Sequence, residues 1–291
     1  MLLALDARNA SVAVGASASG PGPDPGHARF RIGAVPSRSA DEWAYALGSM
    51  LRAEGIEPSR VERVVLSCVV PSLAPRLREA CAKAFGLEPL VVGPGVRNGL
   101  KIRTDSPSEL GSDLVCDAVA ARELLAERGL AGRPCVVVDF GSAIAFSALS
   151  ASGEYLGASI APGPELAALA LSRGAALLPE ARFEAPERAI GRNTAQALQS
   201  GLALGFAGLV DRVVERMASE LGEDCLALGS GEEYGRLLEP ERGFLDFVPD
   251  LALEGLRAIA ALNPAEIPEA VGAVGSAESE GPPGPGTARS G

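Results

Sequence analysis

The sequence predicts an α/β protein made of two similar halves that face each other across a cleft. One observation is a repeated strand–turn–strand unit. Leu3–Gly20 reads LALDARNASVAVGASASG, and Val136–Gly153 reads VVVDFGSAIAFSALSASG. Laid over each other without gaps, Asp6 falls on Asp139, Asn9 on Ser142 and Ser19-Gly20 on Ser152-Gly153. A second observation is that each copy is followed by strands alternating with helices. The third is composition. Hydrophobic residues make up 47% of the 291 residues and aromatics only 4%, so the core is expected to be Leu, Val, Ile and Ala.

In the first half, the opening hairpin leads to FRIGAV (30–35) as a third strand. Ser39–Glu54 is predicted as a helix, with Ser39 as cap and Asp41 and Glu42 in the first turn, where acids suit the helix dipole. VERVVLSCVV (61–70) is a buried strand stopped by Pro71, Leu73–Phe85 an amphipathic helix ended by Gly86, and LVVG (90–93) a short strand. Gly111–Arg128 makes a long helix that bridges the halves. In the second half, strands are predicted at 134–139, 143–150, 154–161 and Cys225–Leu228. Helices are predicted at Glu165–Arg173, Asn193–Leu221, Glu232–Leu238 and Leu253–Leu262, with Asn193 or Thr194 as a natural N-cap. The run SAESEGPPGPGTARSG near the C-terminus is Gly-, Pro- and Ser-rich and is expected to be disordered. These readings divide the chain into residues 1–125, residues 126–262 and a tail at 263–291.

A formal charge of −11 argues against general nucleic-acid binding, which needs a basic footprint. There is no run of 18 or more apolar residues, so no membrane span is expected, and no secretory leader is evident. A cytoplasmic location follows as the expectation. The five cysteines are odd in number and none lies at CxxC spacing, as for reduced thiols. The single histidine, His27, sits in a Gly/Pro loop that would mount a catalytic triad poorly. Lysine stands only at Lys83 and Lys101, so arginine in place of lysine carries little information here.

Three stretches have residues suited to chemistry, and each also has an ordinary structural reading. A strand ending in Asp and entering a turn of small residues aims backbone N–H groups at a phosphate, while the Asp holds a cation. DFGSA (139–143) fits this pattern well and DARNA (6–10) less well; both also make plain hairpins. In GLKIRTDSPSELGSDLVCDAVAA (99–121), Asp113 is placed to take a proton from a substrate hydroxyl, or is only a first-turn helix acid. In IGRNTAQALQSG (190–201), Asn193-Thr194 opens a helix whose N-terminus faces an anion, or simply caps it.

Together with SCVVPSL, GEYLGASIAPG, LLPEARFEAPERAIGRNT and FAGLVDR, these runs make the chain resemble the type III pantothenate kinases over roughly residues 1–260. That family belongs to the acetate kinase/sugar kinase/Hsp70/actin superfamily. The resemblance implies a duplicated ribonuclease-H-like (actin-like ATPase) fold in a homodimer. It also implies ATP with Mg2+ and a monovalent cation (K+ or NH4+), and phosphorylation of pantothenate to 4'-phosphopantothenate, the first step of coenzyme A biosynthesis. Carried over by motif, Asp6, Ala7, Arg8, Asn9, Ala10, Ser11, Val12 and Ala13 form the ATP turn, and Ser142 touches ATP. Thr104, Gly111, Ser112, Asp113, Leu114 and Thr194 bind pantothenate, Asp113 accepts the proton, and Asp139 binds the monovalent cation.

The departures from the family pattern fall inside the pocket. The family's Asp-x-Gly-Asn-Thr is here Asp6-Ala7-Arg8-Asn9-Ala10, its Gly-Ala-Asp-Arg is Gly111-Ser112-Asp113-Leu114, and its Gly-Thr-Ala-Thr-Thr ends in Ile144-Ala145. The Thr-Gly-Gly expected near the nucleotide base is Leu228-Gly229-Ser230, and Thr104 replaces an aromatic. These losses leave three readings open: a pantothenate kinase, with turnover intact or impaired; a catalytically weak relative acting as a regulatory or accessory binding protein; or a kinase of another small hydroxy acid. Arg8 stands where the second copy has Gly141. It either crowds out a phosphate or supplies a compensating cation.

Overall fold

Leu2–Ala7 (β1) is buried on both faces, and its period-two alternation assigns each face to a different core. Leu3, Leu5 and Ala7 pack outward with Trp43, Leu47 and Leu77, whereas Leu2 and Ala4 pack inward with Val115, Val119 and Ile259. The computed structural model describes residues 1–17, 28–35, 37–174, 178–179, 183–222 and 224–264. His27 and the tail expected to be disordered lie outside the described residues, the tail from residue 265 on.

The first sheet combines β1 with Ser11–Ser17 (β2), Ala28–Gly33 (β3), Arg63–Cys68 (β4) and Leu90–Val91 (β5), in the order β3-β2-β1-β4-β5. The second combines Cys135–Phe140 (β6), Ala143–Leu149 (β7), Tyr155–Pro162 (β8), Leu226–Gly231 (β9) and Phe247–Val248 (β10), in the order β10-β9-β6-β7-β8. Matching β1 with β6 and continuing in chain order makes the two sheets the same. Each is an antiparallel three-strand meander joined through its first strand to two parallel strands. The duplicated α/β fold expected from the sequence is therefore present strand for strand. The ungapped overlay holds only up to the turn, because Ala7 and Val12 enclose Arg8–Ser11 whereas Phe140 and Ile144 enclose Gly141–Ala143. The second turn is one residue shorter, so the return strands are displaced by one position.

Helices Ala40–Ala53 (α1) and Ala74–Phe85 (α2) cover the outer face of the first sheet. Ser39 caps α1 in a full capping box with Glu42, and Gly86 ends α2 in the left-handed region (φ 70°). Ser112–Glu127 (α3) and Leu251–Leu262 (α6) pack against each other between the two sheets. Val115, Cys116 and Val119 of α3 face the first sheet, and Ala118, Ala121 and Leu125 face the second. A helix covered on both sides is apolar nearly all round, which explains the Ala/Val run of α3. Helix α6 thus returns to the first sheet. Pro164–Gly174 (α4) and Thr194–Leu221 (α5) lie on the outer side of the second half. By length and composition α5 alone among the described helices is long and apolar enough to cross a membrane; its Leu202, Phe206, Val210 and Val214 stripe packs on the second sheet.

One local expectation is corrected: the helix at Glu232–Leu238 is a 3-10 helix over Glu233–Leu238. The two-residue β10 is too short an apolar run to be read as a strand from the sequence.

The α3–α6 contact is close because residue 255 has no side chain: a Cβ there would run into the Cys116 carbonyl. Gly255→Ala is expected to lower stability by about 1–3 kcal/mol, the usual cost of overpacking, read as a lower urea midpoint with an unchanged m-value.

Candidate active site

The same alternation that buries β1 and β6 turns Asp6 and Asp139 to the inner side of their sheets. Asp6 follows the parity of Leu2 and Ala4, and Asp139 that of Cys135 and Val137. Both carboxylates therefore point toward the layer occupied by α3. Asp117 comes from that helix, one turn after Asp113 and on the same face. Asp6, Asp117 and Asp139 are only 3%, 1% and 5% exposed.

Arg8 joins them. Its Nε donates to Asp6 Oδ2 at 2.6 Å, one terminal nitrogen donates to Asp139, and the other donates to Asp117 Oδ2 at 3.3 Å. The arginine thus links β1, α3 and β6. Its backbone is unstrained: among the described residues no non-glycine residue has positive φ, so this turn does not require glycine at position 8. Burial works against the guanidinium's charge, but Asp139, Asp6, Asp117 and Asp113 outweigh it and raise its pKa further above the usual arginine value. Burial drives Asp117 well above the ordinary carboxylate range; Asp139 adds to the rise and Arg8 opposes it. Asp113 is also raised, first by burial, with Arg8 pulling it down and Asp6 and Asp139 pushing it up.

Both hairpin turns open onto one cleft between the halves. Arg8, Ala10, Ser11 and Ala13 line it from the first turn, and Gly141 and Ser142 from the second. Arg31 of β3 spans to Asp250 at 2.6 Å and Glu232 at 3.5 Å on the opposite side. Within the first turn, Asn9 and Ala10 are exposed, whereas the side chains of Ala7 and Val12 belong to the outer core. The second turn is held from outside: Tyr234 donates to the Gly141 carbonyl at 2.7 Å, and the Gly163 amide donates to the Ser142 carbonyl at 2.9 Å. A Cβ at Gly141 would make only ordinary contact, 3.5 Å from the Ala143 carbonyl. The glycines this turn needs are Gly163 and Gly231, where a Cβ would strike the Gly141 and Phe140 carbonyls.

The predicted substrate residues fall into separate environments. Ser112 pins the start of α3 to the end of β4, with its Oγ 3.0 Å from Ser67 Oγ and accepting from the Cys68 amide at 3.2 Å. Asp113 Oδ1 accepts from the Leu114 amide at 2.8 Å, and Leu114 is buried. Gly111 makes room for that carboxylate, since a Cβ would lie 2.5 Å from Asp113 Oδ1. Thr104 Oγ1 is buried without a hydrogen-bond partner. Thr194 is exposed in the first turn of α5, and Asn193 is the cap that accepts from Gln196. Lys101 and Arg103 both pair with Glu154, fastening their loop to the start of β8.

Asp117 was missed as a site residue from the sequence. The available signal was an acid four residues after Asp113 inside the apolar run LVCDAVAA (114–121).

A protein-held metal does not fit this arrangement. Among the described residues no three ligating side chains could hold a metal ion. One oxygen each of Asp6, Asp117 and Asp139 is directed to Arg8, and the other is sealed without a partner.

The type III pantothenate kinase family model matches residues 2–216. A type III pantothenate kinase of Moorella thermoacetica is 39% identical over 263 residues, covering 89% of this chain and 98% of that protein. Type III pantothenate kinase 2 of Symbiobacterium thermophilum is 41% identical, covering 89% and 96%. Among solved structures, a Baf family protein of Campylobacter jejuni aligns with TM-score 0.52 at 18% identity, covering 90% of this chain and 98% of that one. It shares the fold.

Replacing Arg8 with methionine should cost about 3–5 kcal/mol at neutral pH, as for a buried ion pair stripped of one partner. The loss should shrink as pH falls. Without Arg8, Asp113 and Asp117 rise further above their unfolded values, and a raised acid adds stability at low pH that is lost as pH climbs through its folded pKa. Urea titrations of both proteins from pH 5 to 8 check this; a difference that does not change with pH would refute it.

Proposed function

The chain belongs to the type III pantothenate kinase family, and on that premise we propose that the cavity between its halves transfers the terminal phosphoryl group of ATP to the hydroxyl of pantothenate. The observation that carries this reading is the convergence of both hairpin turns on one cavity, with the Asp113–Asp117 face of α3 in the same charged cluster. Phosphoryl transfer asks a protein mainly for positioning and charge neutralisation. The turns at Asp6–Ala13 and Gly141–Ser142 are the proposed phosphate supports.

Asp113 is the proposed proton acceptor. Burial and the neighbouring acids keep its pKa above the ordinary carboxylate range, which brings a carboxylate closer to the working pH of a general base. Thr104, whose hydroxyl has no partner, is a proposed hydrogen-bonding group for pantothenate; Gly111, Ser112 and Leu114 shape the same end of α3, and Thr194 is assigned to the substrate as well. The family implies a divalent ion with the nucleotide, where it neutralises phosphate charge. The monovalent cation assigned to Asp139 would meet a carboxylate already paired with Arg8. We place the domain division near residue 125, within α3, with α6 returning to the first sheet.

ATP- and pantothenate-dependent ADP release is the direct test. Asp113→Asn should reduce kcat by roughly 10²–10⁴-fold, the range for loss of a general base; equal rates in both proteins would sink the assignment. In the wild type, the acid limb of kcat/KM should lie above the ordinary carboxylate range, and in Arg8→Ala it should move to higher pH.

A homodimer is proposed to use the outer side of the second half. Ile160 on β8, Leu166, Leu169 and Leu171 on α4, and Leu204 on α5 all expose large apolar side chains. Ile160→Asp should shift the sedimentation profile toward monomer at micromolar concentration, and an unchanged profile would exclude this face.

A further inference from the structure

We propose that a second cavity binds a small organic anion, a carboxylate on a compact apolar body, and that Arg122 and Arg133 hold its charged end. The cavity lies between the last turns of α3 and the hairpin that joins β7 to β8, and measures about 200 Å3. An apolar cavity of about 150 Å3 is enough for benzene. This space is separate from the one that both phosphate turns line. Arg122 follows Asp113 by nine residues along α3, roughly 14 Å. Leu149 pairs with Cys135 at the start of β6, whereas Asp139 lies near its end. The inference does not depend on the kinase reading.

Leu125 and Leu149 are buried and supply an apolar wall. Every charged residue lining the cavity is an arginine, in a chain whose formal charge is −11. Arg122 is held in place before any ligand arrives. One terminal nitrogen donates to the Gly99 carbonyl, and its stem packs on Gly153, where a Cβ would lie 3.0 Å from Arg122 Cδ. Gly99 and Gly153 both have positive φ (72° and 74°), so two turns clasp this side chain. Among the described residues Arg122 forms no ion pair. Arg133 donates to the Asp224 carbonyl at 2.9 and 2.6 Å. The Asp224 carboxylate is 3.8 Å away and 88% exposed, so water screens its hold on Arg133. The Ser150 and Ser152 hydroxyls, 2.9 Å apart, add hydrogen-bonding groups to the lining. Carbonyls at a helix C-terminus oppose an anion, but those of the last turn of α3 accept from the amides of Arg128, Gly129 and Leu130. Two guanidinium groups exclude a cation and suit a carboxylate, which they bind through paired hydrogen bonds. The apolar wall selects an anion that carries a body.

The test is a methyl-NMR titration of the whole protein with benzoate, benzyl alcohol and inorganic phosphate. Benzoate should shift the Leu125, Leu149 and Ala151 methyls, which line this cavity. It should bind about tenfold more tightly than benzyl alcohol, which lacks the charge, or phosphate, which lacks the body. Arg122→Met and Arg133→Met should each weaken benzoate binding by about tenfold. Ala126→Phe fills the cavity from an exposed position and should abolish the shifts with both arginines intact; it decides the question if loss of Arg122 leaves no folded protein. The proposal is overturned by benzoate that leaves these methyls unmoved, or that shifts only Ala10, Ala13 and Leu253 around the other space. Binding that survives Ala126→Phe overturns it as well. Equal affinity for benzyl alcohol would make the site merely apolar, and equal affinity for phosphate merely anionic; either result would also overturn it.

Discussion

A buried aspartate is costly unless positive charge comes with it, and three of them meet one arginine where the two halves of this protein join. Arg8 contacts Asp6 on its own strand, Asp117 on the central helix and Asp139 on the equivalent strand of the other half. No pair of these elements can separate without uncovering a carboxylate. The contact therefore sets the relative placement of the two turns, and through it the shape of the cavity they line.

The surrounding architecture serves that junction. Two sheets of identical topology present equivalent first strands to the same middle layer, filled by α3 and α6. Those helices pack closely, with Gly255 against Cys116, and across their layer Arg8 donates to Asp139. The outer helices can differ between halves because they cover faces remote from the junction. Likewise the two turns differ by one residue without disturbing the strands that carry the aspartates.

The chain belongs to a kinase family, and moving a phosphoryl group is largely a problem of managing negative charge. A guanidinium is always protonated and cannot diffuse away, so it offsets part of the acids' charge whatever the ionic composition around it. The same arrangement leaves Asp113, at the start of α3, influenced by acids and arginine together. Its proton affinity is raised first by burial and then adjusted by the charges of the junction.

Much of this was legible in the linear sequence. Strand periodicity, the repeat and the capping residues marked most elements, and Asp6, Asp139 and Asp113 stood out because each ends a strand or starts a helix. The oddity of Arg8 was visible because the second copy has glycine there. What the sequence could not contain was the destination of that side chain: its partners at 117 and 139 lie more than a hundred positions away. Asp117 escaped notice for the same reason, since an acid inside an apolar helix has no meaning until its counter-ion is known. The importance of Gly163 and Gly231 over Gly141 also depends on carbonyls brought in by other strands. Local pattern determines which face a residue takes, because helix and strand periods are short-range. Which charges meet, and whether they compensate, is decided only when distant elements pack.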